Sequence, residues 1–221
     1  MATTSRTGFI GTGGIGLVSA VVLVLGVVGL VGGIAFWVNG LTQARAGVTV
    51  PVQLAAGPGS LVSDDEPDRV LVPVAGLPPA SHVWAGAGDL HLTAWDSTIP
   101  EQALARADTL LLGLATAFAA YLLLPLLRSV QEGRPFAEGN ARRVAGLALA
   151  LLVAGWLGPF LTSVGSVLVL DRIAVDGADS GLAPATPPAL WPLLLAAVLL
   201  AVLAEAFRRG EQISADVDGL V

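Results

Sequence analysis

The chain has no cysteine and no lysine, and among its 221 residues there are only two histidines, one tyrosine and one methionine. Without cysteine there are no disulfides, no thiolate metal sites and no cysteine nucleophile. The two histidines, His82 and His91, have Asp89 and Asp96 nearby but match no zinc spacing, and a catalytic zinc uses three protein ligands. Neither sits beside a nucleophile elbow or a group that would orient a base. Charge is also scarce, at 13% of residues, against roughly 25% in soluble domains. All eleven basic residues are arginine. They are few and cluster at the ends of apolar runs, so direct nucleic-acid binding is not expected. The missing lysine, with many Ala, Val, Leu and Gly, points to a GC-rich genome.

What the chain does have is apolar length. It is 54% hydrophobic, with a mean hydropathy of +0.78. Four runs, 15–38, 109–127, 144–170 and 189–207, approach or exceed the length of about 20 residues that a helix needs to cross a bilayer. They predict an all-α membrane fold: four transmembrane helices, with a small extracytoplasmic β-rich insertion between helices 1 and 2. A cleaved signal peptide is the alternative for the first run, with Arg6 ahead of it and Ala44-Arg45-Ala46 after it. An h-region is typically about 7–15 residues, and this run is much longer. It also holds Gly29-x-x-x-Gly33, a spacing that lets helices approach closely, so it reads as a retained, tightly packed helix.

Arginine placement sets the orientation, because short loops on the cytoplasmic side carry the excess of positive charge. With both termini inside, Arg6, Arg128, Arg134, Arg142, Arg143, Arg208 and Arg209 are cytoplasmic, and Arg45, Arg69, Arg106 and Arg172 are outside. The expectation is a multi-pass protein of the bacterial inner membrane. Its N-terminus 1–14, loop 128–143 and tail 208–221 are cytoplasmic, and segments 39–108 and 171–188 are extracytoplasmic.

Along the chain, Gly11-x-Gly13-x-x-Gly16 matches the dinucleotide fingerprint by letter. No strand precedes it and the next acid is Asp64, so it reads as glycines at the mouth of a helix. In 39–108, Val48, Val50, Val52 and Leu54 alternate with Thr49, Pro51 and Gln53, which is strand periodicity. Residues 70–74, 81–84 and 90–96 are further short strands, and 55–60 and 64–68 read as turns. The result is a small antiparallel layer docked on the helix ends, with Trp84 and Trp95 as anchors. Ser97 or Thr98 caps a helix that opens at Pro100 and is expected to run without a break to about Gln131. Pro125 bends its end and Pro159 kinks the third span. The segment 171–188 reads as a low-complexity loop, and Trp191 as an interfacial anchor.

Proton relays and active transporters need ionisable groups within the membrane, and the span centres have none. Glu205 lies near the end of the last run beside Arg208 and Arg209, as an interfacial carboxylate paired with arginine. No catalytic, cofactor or metal residues are therefore assigned, and the protein is expected not to be an enzyme. The informative polar stretch is 128–143. There Gly133 permits a sharp helix exit, Pro135 starts a turn and Phe136 pins it at the interface. Asn140 caps the next helix, and Arg142 and Arg143 reach lipid phosphates.

Gly133-Arg-Pro-Phe136 followed by Asn140-Ala-Arg-Arg143 resembles the central G-x-P-F…N…R loop of a bacterial family of small four-helix membrane proteins of unknown function. The ending Ala206-Phe-Arg-Arg-Gly-Glu-Gln-Ile213 resembles that family's close after its fourth helix. The resemblance is best from about Thr109 onward. It implies a possible partner, since members often lie beside small helix-turn-helix regulators. The expected role is a non-enzymatic, membrane-anchored interaction or regulatory protein in contact with the lipid bilayer, with homo-oligomers allowed. A channel or transporter subunit is the alternative, and external chemistry at His82 and His91 a third reading.

Overall fold

The computed structural model describes residues 12–54, 70–72, 77–86, 89–173 and 182–218. The turns expected at 55–60 and 64–68, the strand end at 73–74, and Gly11 of the glycine pattern lie outside the described residues. Four helices are long and apolar enough to cross a membrane. In order they are α1 (Thr12–Leu41), α3 (Ala107–Gln131), the combined run 140–172, and α6 (Leu190–Asp218). The combined run consists of α4 (Asn140–Leu152), a π-helical turn (Val153–Leu157) and α5 (Gly158–Arg172). Pro159 stands at the start of α5. It has no N–H for residue 155 and its ring crowds that carbonyl, and the π turn immediately before it is one way a helix absorbs such a mismatch. The fingerprint glycines Gly13 and Gly16 lie inside α1.

The chain divides into two compact units. The first comprises 1–32, 113–153 and 190–221, and its described residues are helical apart from the loop 132–139 between α3 and α4. Small residues set its packing. A Cβ built at Gly26 would lie 2.6 Å from the Ala120 Cβ, and one at Gly29 would lie 3.3 Å from Thr116, so α1 and α3 approach closely there. Gly146 of α4 similarly abuts Leu122 of α3, at 2.6 Å. Over-packing such a seam costs about 1–3 kcal/mol. Gly26→Val should therefore lower the thermal unfolding midpoint in detergent. Gly16→Val, at a position with nothing within 4 Å, should leave it near wild type. Equal midpoints for the two variants would contradict this packing.

The second unit comprises 33–112 and 154–189. Its sheet runs β2-β3-β4-β1-β5 and is antiparallel throughout. The strands are β1 (Val48–Leu54), β2 (Val70–Val72), β3 (His82–Gly86), β4 (Asp89–Ala94) and β5 (Leu182–Pro184). The register pairs Val50 with Leu92 and Val83 with Leu92, which puts one apolar set on one face. Val48, Val50, Val52, Val83, Leu92, Ala94 and Leu182 form a buried core with Val169 and Leu170 of α5. Pro51 is tolerated in an inner strand because pairing with β5 reaches only to Val52, and its carbonyl accepts from Ser166 Oγ at 2.8 Å.

Three expectations are corrected. The segment 171–188 is not all loop, since β5 pairs with β1 and buries Leu182 completely. The helix opening near Pro100 is not continuous. It forms α2 (Ile99–Ala105), ends at Arg106 with φ −114° and ψ 9°, and restarts at Ala107. The Arg106 side chain folds back to donate to Gln102 and sits over the Phe36 ring, 5.3 Å from its centroid. Burial there lowers its pKa below the ordinary arginine value. Finally, the Trp84 and Trp95 side chains are not part of the buried core that meets α5, and only the Trp95 backbone carbonyl is seen to bond there, accepting from Arg172 Nη1 at 3.0 Å. Trp84 projects opposite the core residues Val83 and Ala85 and stacks on His91, with centroids 4.4 Å apart, while Trp95 is half exposed. Trp37 of α1 instead ties two helices, its Nε1–H donating to the Ala103 carbonyl of α2 at 3.0 Å.

A polar cluster joins α2, α5 and the β1 entrance. Glu101 and Gln102 are buried. The Thr98 N–H donates to Glu101 Oε2 at 2.8 Å, closing the first turn of α2 from inside. Arg172 Nε donates to Glu101 Oε1 at 2.7 Å and its Nη1 to the Trp95 carbonyl at 3.0 Å. Gln102 Nε2 donates to Ser97 Oγ at 2.7 Å and to the Gly47 carbonyl at 3.2 Å.

Candidate functional site

Between α3 and α4 the chain must reverse over eight residues, 132–139. Gly133 and Gly139 make this possible, with φ of +73° and +88°, values that cost a side-chain-bearing residue steric energy. Pro135 and Phe136 lie between them. The Phe136 ring is tilted against Phe207 of α6 with centroids 5.6 Å apart. Gly210, one turn further along α6, leaves room for it, since any Cβ there would collide with the Phe136 ring.

Asn140 is completely buried. Its Nδ2 donates to Ser129 Oγ of α3 at 2.7 Å and to the Pro135 carbonyl at 2.9 Å, and its Oδ1 accepts from Arg143 Nη1 at 2.6 Å. Its expected capping role is corrected. The cap position is Gly139, and Asn140 is the first residue of α4. The acceptor at this helix start comes from α6, where Glu211 Oε1 takes the Ala141 N–H at 2.8 Å. A carboxylate suits the positive end of a helix. One side chain thus closes the loop onto α3, and another closes α4 onto α6.

The predicted residues Gly133, Pro135, Phe136 and Asn140 are brought together here, Arg143 joins them through Asn140, and Arg142 points outward as an exposed side chain. Sequence reasoning missed Ser129, Glu211 and Gly210. The loop and the end of α6 enclose a groove of about 700 Å³, lined by Gly133–Glu138, Glu211 and Ser214. On α6, Glu205 accepts from Arg208 at 2.7 Å and from Arg209 at 3.0 Å, as an exposed ion-paired cluster. On the sheet, His82 Nδ1 lies 3.4 Å from the Ala80 carbonyl. Among the described residues no three His, Cys, Asp or Glu converge as metal ligands.

Four helices long and apolar enough to cross a membrane make this a multi-pass helical membrane protein. Within that class the chain belongs to the family described as Protein of unknown function (DUF2975), whose model matches residues 92–221, more than half of its length. The match takes in the end of β4 from Leu92, β5 and every helix from α2 onward, including the whole loop and groove. No curated protein and no solved structure matches the chain.

Proposed function

We propose that this protein is a non-enzymatic, membrane-anchored interaction or regulatory protein of the bacterial inner membrane, and that a cytoplasmic regulator docks on its central loop. The observation that carries the reading is the groove between 133–138 and the end of α6. Its floor is fixed by the Asn140 and Glu211 bonds, while Arg134 and Glu138 at its rim are exposed. A rigid concavity with an exposed rim of both charge signs suits a protein partner, since rim charges steer and select. The partner is a small helix-turn-helix regulator of the kind the family resemblance implies.

The orientation rests on the arginine balance, with both termini in the cytoplasm and the β-sheet outside.

The test uses the absence of native cysteine. Glu138→Cys should react with a membrane-impermeant maleimide only after cells are permeabilised. Co-expressed with the regulator, the wild type should retain it through purification, and Arg134→Glu/Glu138→Arg should not. Labelling of intact cells would overturn the orientation, and equal retention by both proteins would overturn the docking site.

A further inference from the structure

Among the described residues of the second unit, outside the membrane-length helices, the exposed large hydrophobic side chains are Trp95 and Ile99, at 52% and 55%. They flank Ser97, two residues to either side, at one corner of the unit. That corner is tied to the chain just past the end of α1. The Arg45 N–H donates to the Ser97 carbonyl at 2.8 Å, and the N–H and Oγ of Ser97 both donate to the Ala46 carbonyl, at 3.3 and 2.8 Å. A Cβ at Gly47 would lie 3.7 Å from the Trp95 indole, so the ring rests on the same turn. Gln102 of α2 joins it too, donating to the Gln43 and Gly47 carbonyls at 3.4 and 3.2 Å.

A single exposed apolar side chain is ordinary; here depth decides. The Arg106 guanidinium sits 5.3 Å from the centroid of the Phe36 ring, and Phe36 lies inside the apolar run of α1. Ile99 is seven residues before Arg106 on α2, no more than about 10 Å along a helix that rises about 1.5 Å per residue. A bilayer of about 40–45 Å holds a hydrocarbon core of about 30 Å, which leaves an interfacial layer several Å deep on each side. The corner therefore stands in or at that layer, and its apolar pair continues the exposed surface that Phe36 and Val38 present on α1. Tryptophan is favoured at this depth because its ring is apolar and its N–H is polar. Arg45 and Asp96, both exposed, border the pair with one charge of each sign.

We propose that Trp95 and Ile99 insert into the lipid interface beside α1 and so seat the β-containing unit on the bilayer surface. The occupant of this exposed corner is lipid, since the corner is continuous with the lipid-exposed end of α1. The inference rests on neither the regulator nor the orientation, because both faces of a bilayer present the same boundary between headgroups and acyl chains.

The chain has no cysteine, so Trp95→Cys and Ile99→Cys, made separately in the full-length protein, can each carry one nitroxide label. Both positions are exposed, and an unfolding midpoint equal to wild type checks that the fold is kept. In nanodiscs of phosphatidylcholine and phosphatidylglycerol, collisions of the label with oxygen, which concentrates among acyl chains, are compared with collisions with a water-soluble nickel chelate. Val38→Cys, at an exposed position within the apolar run of α1, supplies the lipid reference, and free label in buffer supplies the water reference. Labels at 95 and 99 should each give an oxygen-to-nickel ratio several-fold above the free label and nearer to that at 38. A ratio nearer to the free label at either position would overturn the proposal. So would low accessibility to both reagents, because protein, such as a second copy of the chain, would then cover the corner.

Discussion

Asn140→Ala is expected to destabilise the protein by about 3 kcal/mol. The side chain is fully buried and makes three hydrogen bonds. Leaving a buried neutral group without its partner costs about 1–3 kcal/mol, and more where the group left is charged. The Pro135 carbonyl loses the Asn140 donor. Ser129 Oγ keeps its own bond to the Leu126 carbonyl at 2.7 Å, which limits the loss there. Arg143 is only partly buried and can turn to water, so its share is discounted. In a protein of this size, about 3 kcal/mol corresponds to a fall of roughly 6–12 °C in the unfolding midpoint. Asn140→Asp should be at least as damaging, because an oxygen would then face the Pro135 carbonyl in place of the donor. Thermal unfolding of the variants in detergent, followed by circular dichroism, measures both. A midpoint within 2 °C of wild type for Asn140→Ala would mean that this side chain does not hold the loop.

The same residue marks the limit of what the sequence discloses. Asparagine ahead of an apolar run ordinarily caps a helix, and nothing local reveals that Gly139 takes the cap position. The acceptor that serves α4, Glu211, is 70 residues further along, so no window of local sequence contains both groups. The spans were legible because they need only length and freedom from charge. β1 and β4 were legible because a half-buried strand alternates every second residue. Leu182–Pro184 could not be read that way. Three residues carry no period, and what makes them a strand is the free edge of β1 beyond Val52. The break at Arg106 is also tertiary in origin, set by where its guanidinium finds Gln102 and the Phe36 ring. In the loop, Gly133 and Phe136 were legible from residue type, and Gly139 was not. The wall that α6 supplies was read only as adjacency, and Gly210 shows its role only once Phe136 lies against it.

Arg172 should prove the most sensitive position in the β-containing unit, and its sensitivity should depend on Glu101. The Glu101 side chain is only 3% exposed, and among the described residues Arg172 is its sole basic partner, at 2.7 Å. Arg172→Met leaves a carboxylate buried without a countercharge, and breaking such a pair from one side costs about 3–5 kcal/mol. Arg172 is itself a quarter exposed, and water entering behind the shorter side chain would soften the loss, so the lower part of that range is expected. Glu101→Gln should cost less, because the amide keeps an oxygen for the Thr98 N–H that closes α2. The informative protein is the double variant. Among the described residues, Arg172 Nη2 is buried without a hydrogen-bond partner, so the wild-type pair already carries a desolvation cost that is only partly offset. Glu101→Gln/Arg172→Met removes the charge, the unpaired donor and the ion pair together, and should be more stable than Arg172→Met alone. Unfolding midpoints of the four proteins form a double-mutant cycle, with a coupling expected at about 1–3 kcal/mol. If the double variant is less stable than Arg172→Met by the full cost of Glu101→Gln, the two residues act independently, and α2 is held to α5 by apolar packing such as Leu104 against Gly165 with no contribution from the ion pair.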